Sequence, residues 1–428
     1  MTLPFSMDSK ATLTPGDLAE NGFHIPVIDL APSYISEQGR QEVAEEIRKA
    51  CLSSGFFYVT SHGISSDTCV GILQQAAQLF AKLSLTDKHR IHIERSPHGY
   101  GWEPSEATSI AGDVERKEAF NWSYSEDLDH TGGDGKYVQL DGTPAKNMNQ
   151  WPSEDQVPGF YDAVRKYYGN ALQLARHLCR LFALSLQLPE DYFDSRTTHP
   201  SANSRIMYYP ATKPSAQDIG LGAHTDYQCF TILLCSSTPG LEIMSPSGQW
   251  IQAPTVHGGL VVNIGDMMMR WTNGLYNSTM HRVVNRSGEE RYSVPLFFGI
   301  NNEELVEVGQ AILARRWQLL TREIDHPQLH LRGESRKISA GESWRVYTAE
   351  TSDDTLDLDE YLILCNTMQR AQCIPSLDCP YVLIEQHHWS NSTGSHAAGQ
   401  ATVSIALFSF SYLNCRTGSR TAIPPPAY

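Results

Sequence analysis

The sequence predicts an α+β protein: an all-β core of β-sandwich or jelly-roll type, with helices packed outside it. Three observations predict this. Helical periodicity dominates the first half and is strongest from Phe160 to Leu188. Seven short strand candidates then crowd the stretch from Arg205 to Ile300. Clusters of Gly, Pro, Asn and Ser separate most of them.

The elements follow in chain order. Residues 1–22, rich in Thr, Pro, Ser and Asp, read as a flexible leader. "IPVIDL" (25–30) is a short apolar strand. In "QEVAEEIRKACLSSG", Val43, Ile47 and Cys51 fall at helical spacing, and Gly55 is a plausible stop. "FFYVTSHGI" (56–64) reads as a strand, and a second helix is expected from Asp67 to about Leu83. Residues 86–158 are irregular, and "DLDHTGGDGK" within them is a loop. The helix from Phe160 carries Val164, Tyr167, Tyr168, Ala171, Leu174, Ala175, Leu178 and Leu181 on one broad face, and Pro189 ends it. The strand candidates are "RIMYYP", "CFTILLC", "LEIM", "WIQAP", "GGLVVNIGD", "NSTMHRVVN" and "RYSVPLFFGI". The domains expected are the leader (1–22), an N-terminal helical and mixed region (23–195), a β-barrel core (200–304) and a divergent C-terminal extension (305–428).

Composition narrows the function classes. The 428 residues are 41% hydrophobic and 19% charged, which is globular rather than disordered. A formal net charge of -15 argues against a nucleic-acid or anionic-membrane binder, which needs a basic face. Nine cysteines with no C-x-x-C pair are too sparse for a disulfide scaffold and read as reduced thiols. No basic segment precedes an apolar one at the N-terminus, and no run of about 18 apolar residues exists. The expectation is a soluble, cytoplasmic monomer that acts on a small-molecule substrate.

The chemistry begins at "GLGAHTDYQCFTILL". His224 and Asp226 stand two apart at the mouth of a strand, where alternate side chains share a face. Alone, the pair is ordinary turn punctuation. His281, in "NSTMHRVV", supplies a third ligand from a later strand. Two histidines and a carboxylate leave half of an octahedron open, which suits non-haem Fe(II). A structural zinc site would instead be filled with Cys and His. "RYSVP" then places Arg291 and Ser293 on one strand face. An Arg fork with a neighbouring hydroxyl can hold the far carboxylate of a dicarboxylic co-substrate.

The set His224-x-Asp226, His281 and Arg291-x-Ser293 resembles the Fe(II)/2-oxoglutarate-dependent dioxygenases, and more narrowly their isopenicillin N synthase-like branch. "IPVIDL", "GFFYVTSHGI" and "RIMYYP" resemble that branch as well, so the likeness spans about residues 23–304. It implies a double-stranded β-helix core that uses Fe(II), 2-oxoglutarate and O₂. It implies His224, Asp226 and His281 as metal ligands, and Arg291 and Ser293 as the 2-oxoglutarate anchor. By the same resemblance Tyr209 would hydrogen-bond the co-substrate and Phe298 would lie near the substrate pocket. The family's Asn two residues before that Tyr is Met207 here. The reaction implied gives succinate and CO₂ while a small metabolite is hydroxylated, desaturated or cyclised, in secondary-metabolite biosynthesis. Two alternatives stay open: an oxidase of the same fold without 2-oxoglutarate, and a catalytically silent binding protein. His62 reads as turn structure, "HGYGW" around His98 is a candidate substrate entrance, and His387, His388 and His396 lack the pattern of a second metal site. "ISAGESWR" (338–345) faintly resembles the opening of the family's last helix, and "TVSIALFSFSYL" (402–413) reads as a strand without a named partner.

Overall fold

The computed structural model describes residues 23–105, 115–138, 142–144, 146, 149–211 and 219–306. It also describes the backbone of strands at 19–20, 329–338, 342–351, 382–384 and 401–408. The chain divides into two compact units, Met1–Ile312 and Leu313–Tyr428.

Three long helices belong to the first unit. Helix α1 spans Glu37–Ser53, and the Ser36 side chain caps it by accepting from Gly39 N. Helix α2 spans Ser66–Lys82 with Ser65 as its cap, and α3 spans Phe160–Ser185. The expected apolar face of α3 is buried throughout. Its end falls earlier than the periodicity suggested. Gln187 takes a φ of +57°, and Leu188 N donates to Ala183 O, so the chain wraps back before it reaches Pro189.

The strands of the first unit are β1 (Val27–Asp29), β2 (Phe56–Thr60), β3 (Gly101–Glu103), β4 (Glu118–Trp122), β5 (Pro200–Tyr209), β6 (Ile219–His224), β7 (Phe230–Cys235), β8 (Leu241–Met244), β9 (Trp250–Gln252), β10 (Leu260–Ile264), β11 (His281–Val284) and β12 (Arg291–Asn301). They form two sheets, apart from which Ala19–Glu20 and Phe23–His24 pair as a small two-stranded ribbon. The major sheet has eight strands in the order β1-β2-β10-β7-β12-β5-β4-β3, and the minor sheet has four in the order β9-β8-β11-β6. All pairs are antiparallel except β1 with β2. Strands from before residue 195 and after residue 200 thus share one sheet.

Alternation gives the major sheet two unlike faces. Phe57, Val59, Phe230, Ile232, Leu260, Val262, Val294 and Leu296 point outward and pack with the helices in one large core. Phe56, Tyr58 and Val261 point inward, against Leu241 and Ile243 of the minor sheet. This is the two-layered core with outer helices that the sequence predicts.

Two expectations fail here. The stretch read as irregular (86–158) supplies a short helix, Leu85–Arg90, the edge strand β3 and its neighbour β4. Three to five residues show little periodicity, and aromatic anchoring by buried Trp102, Phe120 and Trp122 fixes these strands instead. Strand β6 is also absent from the sequence-based expectation. Its sequence, "IGLGAH", is glycine-rich, and pairing with β11 overrides that weak propensity.

In the second unit, β13 (Leu329–Ile338), β14 (Glu342–Thr351), β15 (Val382–Ile384) and β16 (Ala401–Phe408) form an antiparallel sheet in the order β13-β14-β16-β15. "ISAGESWR" therefore joins two strands and opens no helix. Of the strand expected at 402–413, the part to Phe408 lies in β16 and finds its partners in β14 and β15, and residues 409–413 lie outside the described residues. His387, His388 and His396 lie outside the described residues.

Candidate active site

Strands β6 and β11 are antiparallel neighbours in the minor sheet, and their register sets His224 opposite His281. The two ring centroids are 4.3 Å apart. Asp226 completes the group, but not by sharing a strand with His224. Strand β6 ends at His224, and Asp226 lies beyond it in the loop that leads to β7. That loop hangs by its main chain on helix α4 (Asp266–Trp271) and the residue before it. Gly265 N donates to Cys229 O at 2.9 Å, Asp266 N to Asp226 O at 2.7 Å and Met267 N to Tyr227 O at 3.1 Å. A side chain at Gly265 would put its Cβ 2.0 Å from Gln228 O, so only glycine lets the two segments approach this closely.

The result is a three-ligand cluster. Asp226 Oδ1 is 3.6 Å from His224 Nε2 and 3.7 Å from His281 Nε2. One ligand atom from each residue lies within 4.8 Å of the others. The remaining polar atoms are already engaged. His224 Nδ1 meets Gly222 O at 2.8 Å and His281 Nδ1 meets Thr279 O at 3.0 Å, which assigns the ring protons to Nδ1. Asp226 Oδ2 accepts from Thr231 Oγ1 at 2.5 Å and from Asn263 Nδ2 at 2.8 Å. Both Nε2 lone pairs and Oδ1 are left to face one gap, as metal ligands oriented by their neighbours do. Burial pushes the His281 imidazole below its ordinary pKa and His224 adds to this, against the opposing pull of the Asp226 carboxylate. A neutral ring is the form that binds metal.

Thr231 and Asn263 are not among the residues singled out from sequence. Their signal was available: each is a polar residue in an otherwise apolar strand, at a position that faces inward.

Arg291 and Ser293 share the inward face of β12, as their spacing predicts, and Nη1 is 3.3 Å from Ser293 Oγ. Arg291 is 1% exposed. Among the described residues no acidic side chain pairs with it, and its Nε has no hydrogen-bond partner. The guanidinium lies 4.9 Å from the centre of the Tyr209 ring. The Tyr209 hydroxyl donates to Met207 Sδ at 3.4 Å. A buried cation without a carboxylate partner is costly unless an anion arrives to meet it. The site therefore fits both groups: a hard-to-borderline divalent metal at the His–Asp–His gap, and a carboxylate at Arg291.

Comparison with known proteins gives the same answer. Residues 200–300 match the 2OG-Fe(II) oxygenase superfamily, and residues 25–154 match the family described as non-haem dioxygenase in morphine synthesis N-terminal. The 2-oxoglutarate-Fe(II) type oxidoreductase hxnY of Emericella nidulans is 33% identical over 65% of this chain and 80% of that protein. The chain belongs to the 2OG-Fe(II) oxygenases. Homoarginine-6-hydroxylase 2-ODD-C23 of Glycine max is 32% identical over 66% of the chain and 87% of its own length. A full-length Neurospora crassa protein, crystallised in complex with alpha-KG and thymine, superposes with a TM-score of 0.60 at 25% identity. The match covers 69% of this chain and 91% of that one.

This oxygenase is accordingly an enzyme that uses Fe(II), 2-oxoglutarate and O₂ to oxidise a small organic molecule. No helix among the described residues is long and apolar enough to cross a membrane. Two aromatic positions of the oxygenase have opposite fates. Phe298 packs in the outer core against Phe230, on the face opposite Ser293, so it does not line the interior. Phe297 does face inward. It pairs in register with Thr231, and the Arg205 guanidinium lies 5.4 Å from its ring centre. His62 is structural: it accepts from Ile64 N and its Nε2 meets Gly258 O. His98 is exposed in its turn.

Proposed function

We propose that His224, Asp226 and His281 hold the iron, and that Arg291 and Ser293 anchor the far carboxylate of 2-oxoglutarate. The observation that carries this reading is the division of labour around the gap. Every polar atom of the three ligands that faces away from it is bonded to protein, and every atom that faces it has no partner but its fellow ligands. When bound there, iron and 2-oxoglutarate would supply the oxidising power, with O₂ as the oxidant and succinate and CO₂ as the co-products. The chain's own residues do the rest. Asn263 and Thr231 keep the Asp226 carboxylate turned toward the metal, and the two backbone carbonyls fix the imidazoles. Tyr209 supports the guanidinium from its ring face. Apolar walls from Phe56 and Ile243 limit the entry of water.

The substrate is a small organic metabolite that lies against Phe297 within reach of Arg205, and it is hydroxylated, desaturated or cyclised. The fungal relatives support a place in secondary metabolism. The acidic charge supports a protein without a nucleic-acid partner, and the free cysteines among the described residues support work in the cytoplasm; a monomer is part of the same proposal.

The test is an anaerobic titration of 2-oxoglutarate into the Fe(II)-loaded protein, followed by the chelate's visible absorption and by a rise in melting temperature. Both signals are expected, and His281→Ala should abolish iron binding while it keeps a cooperative melt. An iron-loaded protein that shows neither signal would overturn the co-substrate assignment. Succinate formed on addition of candidate metabolites then identifies the substrate.

A further inference from the structure

Among the described residues, the groups that contact the Arg291 side chain carry no charge. Ser293 Oγ is 3.3 Å from Nη1, the Tyr209 ring covers one face, and Gly240 backs the stem so closely that a Cβ there would lie 3.0 Å from Cδ. The fourth neighbour is Cys235, whose Sγ is 3.3 Å from Nη2. Cys235 is set opposite Ser293 by the β7–β12 register, so both project from the inner face toward the same guanidinium. Tyr58, Cys235, Gly240 and Arg291 also line one small cavity of about 40 Å³.

We propose that Cys235 is a positioning residue of the co-substrate site: its thiol holds the second arm of the Arg291 fork without spending the fork's positive charge. The inference rests on the assignment of Arg291 as the 2-oxoglutarate anchor. A fork aimed at a carboxylate needs both arms fixed in one plane. A carboxylate at position 235 would fix the arm equally well, but it would satisfy the cation internally and leave the incoming anion nothing to gain. A thiol does the first without the second. Burial pushes the Cys235 thiol up by more than the adjacent guanidinium pulls it down, so it stays an uncharged S–H at neutral pH. Arg291 Nε, buried and without a partner, shows that the protein leaves the cation's demand partly unmet.

The test compares Cys235→Asp, Cys235→Asn, Cys235→Ser and Cys235→Val in the full chain. Calorimetry of 2-oxoglutarate into the anaerobic Fe(II) protein gives Kd, with iron affinity and melting measured separately. Aspartate should weaken 2-oxoglutarate binding by about a hundredfold or more, because it pairs the fork internally. Asparagine, equal in size but neutral, should cost no more than about tenfold. Serine should stay within about threefold of the parent, and valine, which removes the acceptor, should lose about tenfold. Iron affinity should not change in any of them. Equal losses from aspartate and asparagine would overturn the charge argument. If aspartate fails to fold, the serine–valine pair decides: equal affinities there would overturn the tether. A parent that binds iron but no 2-oxoglutarate would sink the anchor assignment itself, whereas normal parent affinity with unaffected variants sinks only the role of Cys235.

Discussion

The two faces of strand β12 do different work at nearly the same degree of burial. Arg291 and Ser293 face inward and Val294, Leu296 and Phe298 face the helices, yet none of the five exceeds 2% exposure. Burial alone therefore does not mark the site. What separates the faces is whether a buried group is satisfied. The outer residues are apolar and need no partner, whereas the inner face holds a cation that no described acid matches. Stability and chemistry are interleaved residue by residue, and a slip of one position would exchange them.

That contrast can be broken in order of expected effect. Arg291→Gln removes the buried cation and should weaken 2-oxoglutarate binding by roughly a hundredfold or more, while the midpoint of denaturant unfolding barely moves. A variant that binds 2-oxoglutarate like the parent would end the idea of an inner-face anchor. Phe298→Ala should do the reverse. It should cost about 3–5 kcal/mol of stability by opening a cavity under the helices, with co-substrate affinity unchanged within about twofold. A large loss of affinity at undiminished stability would show that the faces are not separable.

A finer cut tests support rather than contact. Asn263→Ala leaves Asp226 Oδ2 with Thr231 alone, and iron affinity should fall about 10- to 100-fold in a competition titration. No change would mean that the carboxylate is held by its loop and not by its hydrogen bonds. The smallest effect belongs to the helix layer. Burial, then Arg180 and Arg40, push His177 from 6.5 down to about 4. Below pH 6.5 the unfolded chain takes up a proton at His177 that the folded chain refuses, so this group's contribution makes stability fall from pH 6.5 toward 4 and vanishes above pH 6.5. His177→Gln should lessen that slope, leaving the share of His62 and His281, in denaturant midpoints measured at about pH 7 and about pH 5, and leave 2-oxoglutarate affinity untouched.

Much of this arrangement was legible in the sequence, for physical reasons. The apolar stripe of α3 and the apolar runs that became β7, β10 and β12 carry strong periodic or continuous signals. The spacing of Arg291 and Ser293 gave their shared face, because both sit in one regular strand. The same rule misled for His224 and Asp226. They converge through a loop, and no periodicity describes a loop. Strands β3, β4 and β6 are not marked by the sequence: the first two lie among Gly, Pro and Asp clusters without a run of β-branched residues and the third is rich in glycine, so their existence depends on partners distant in sequence. Phe298 was placed near the pocket by likeness, whereas strict alternation from Ser293 would have chosen Phe297. From sequence, Cys229 and Cys235 read as small buried hydrophobes, the ordinary role of a cysteine in an apolar strand, and nothing in that pattern marks Cys235 as a neighbour of Arg291.

The main-chain bonds that hang the Asp226 loop on Gly265, Asp266 and Met267 have a consequence in time. A carboxylate held in place before any ligand arrives has no ordering entropy left to lose when one does. Capture should then be as fast as diffusion and dehydration of the cation allow, with no slow phase of loop closure. The three amides should exchange with solvent as slowly in the stripped protein as in the loaded one, a rigidity visible to hydrogen exchange and independent of catalysis.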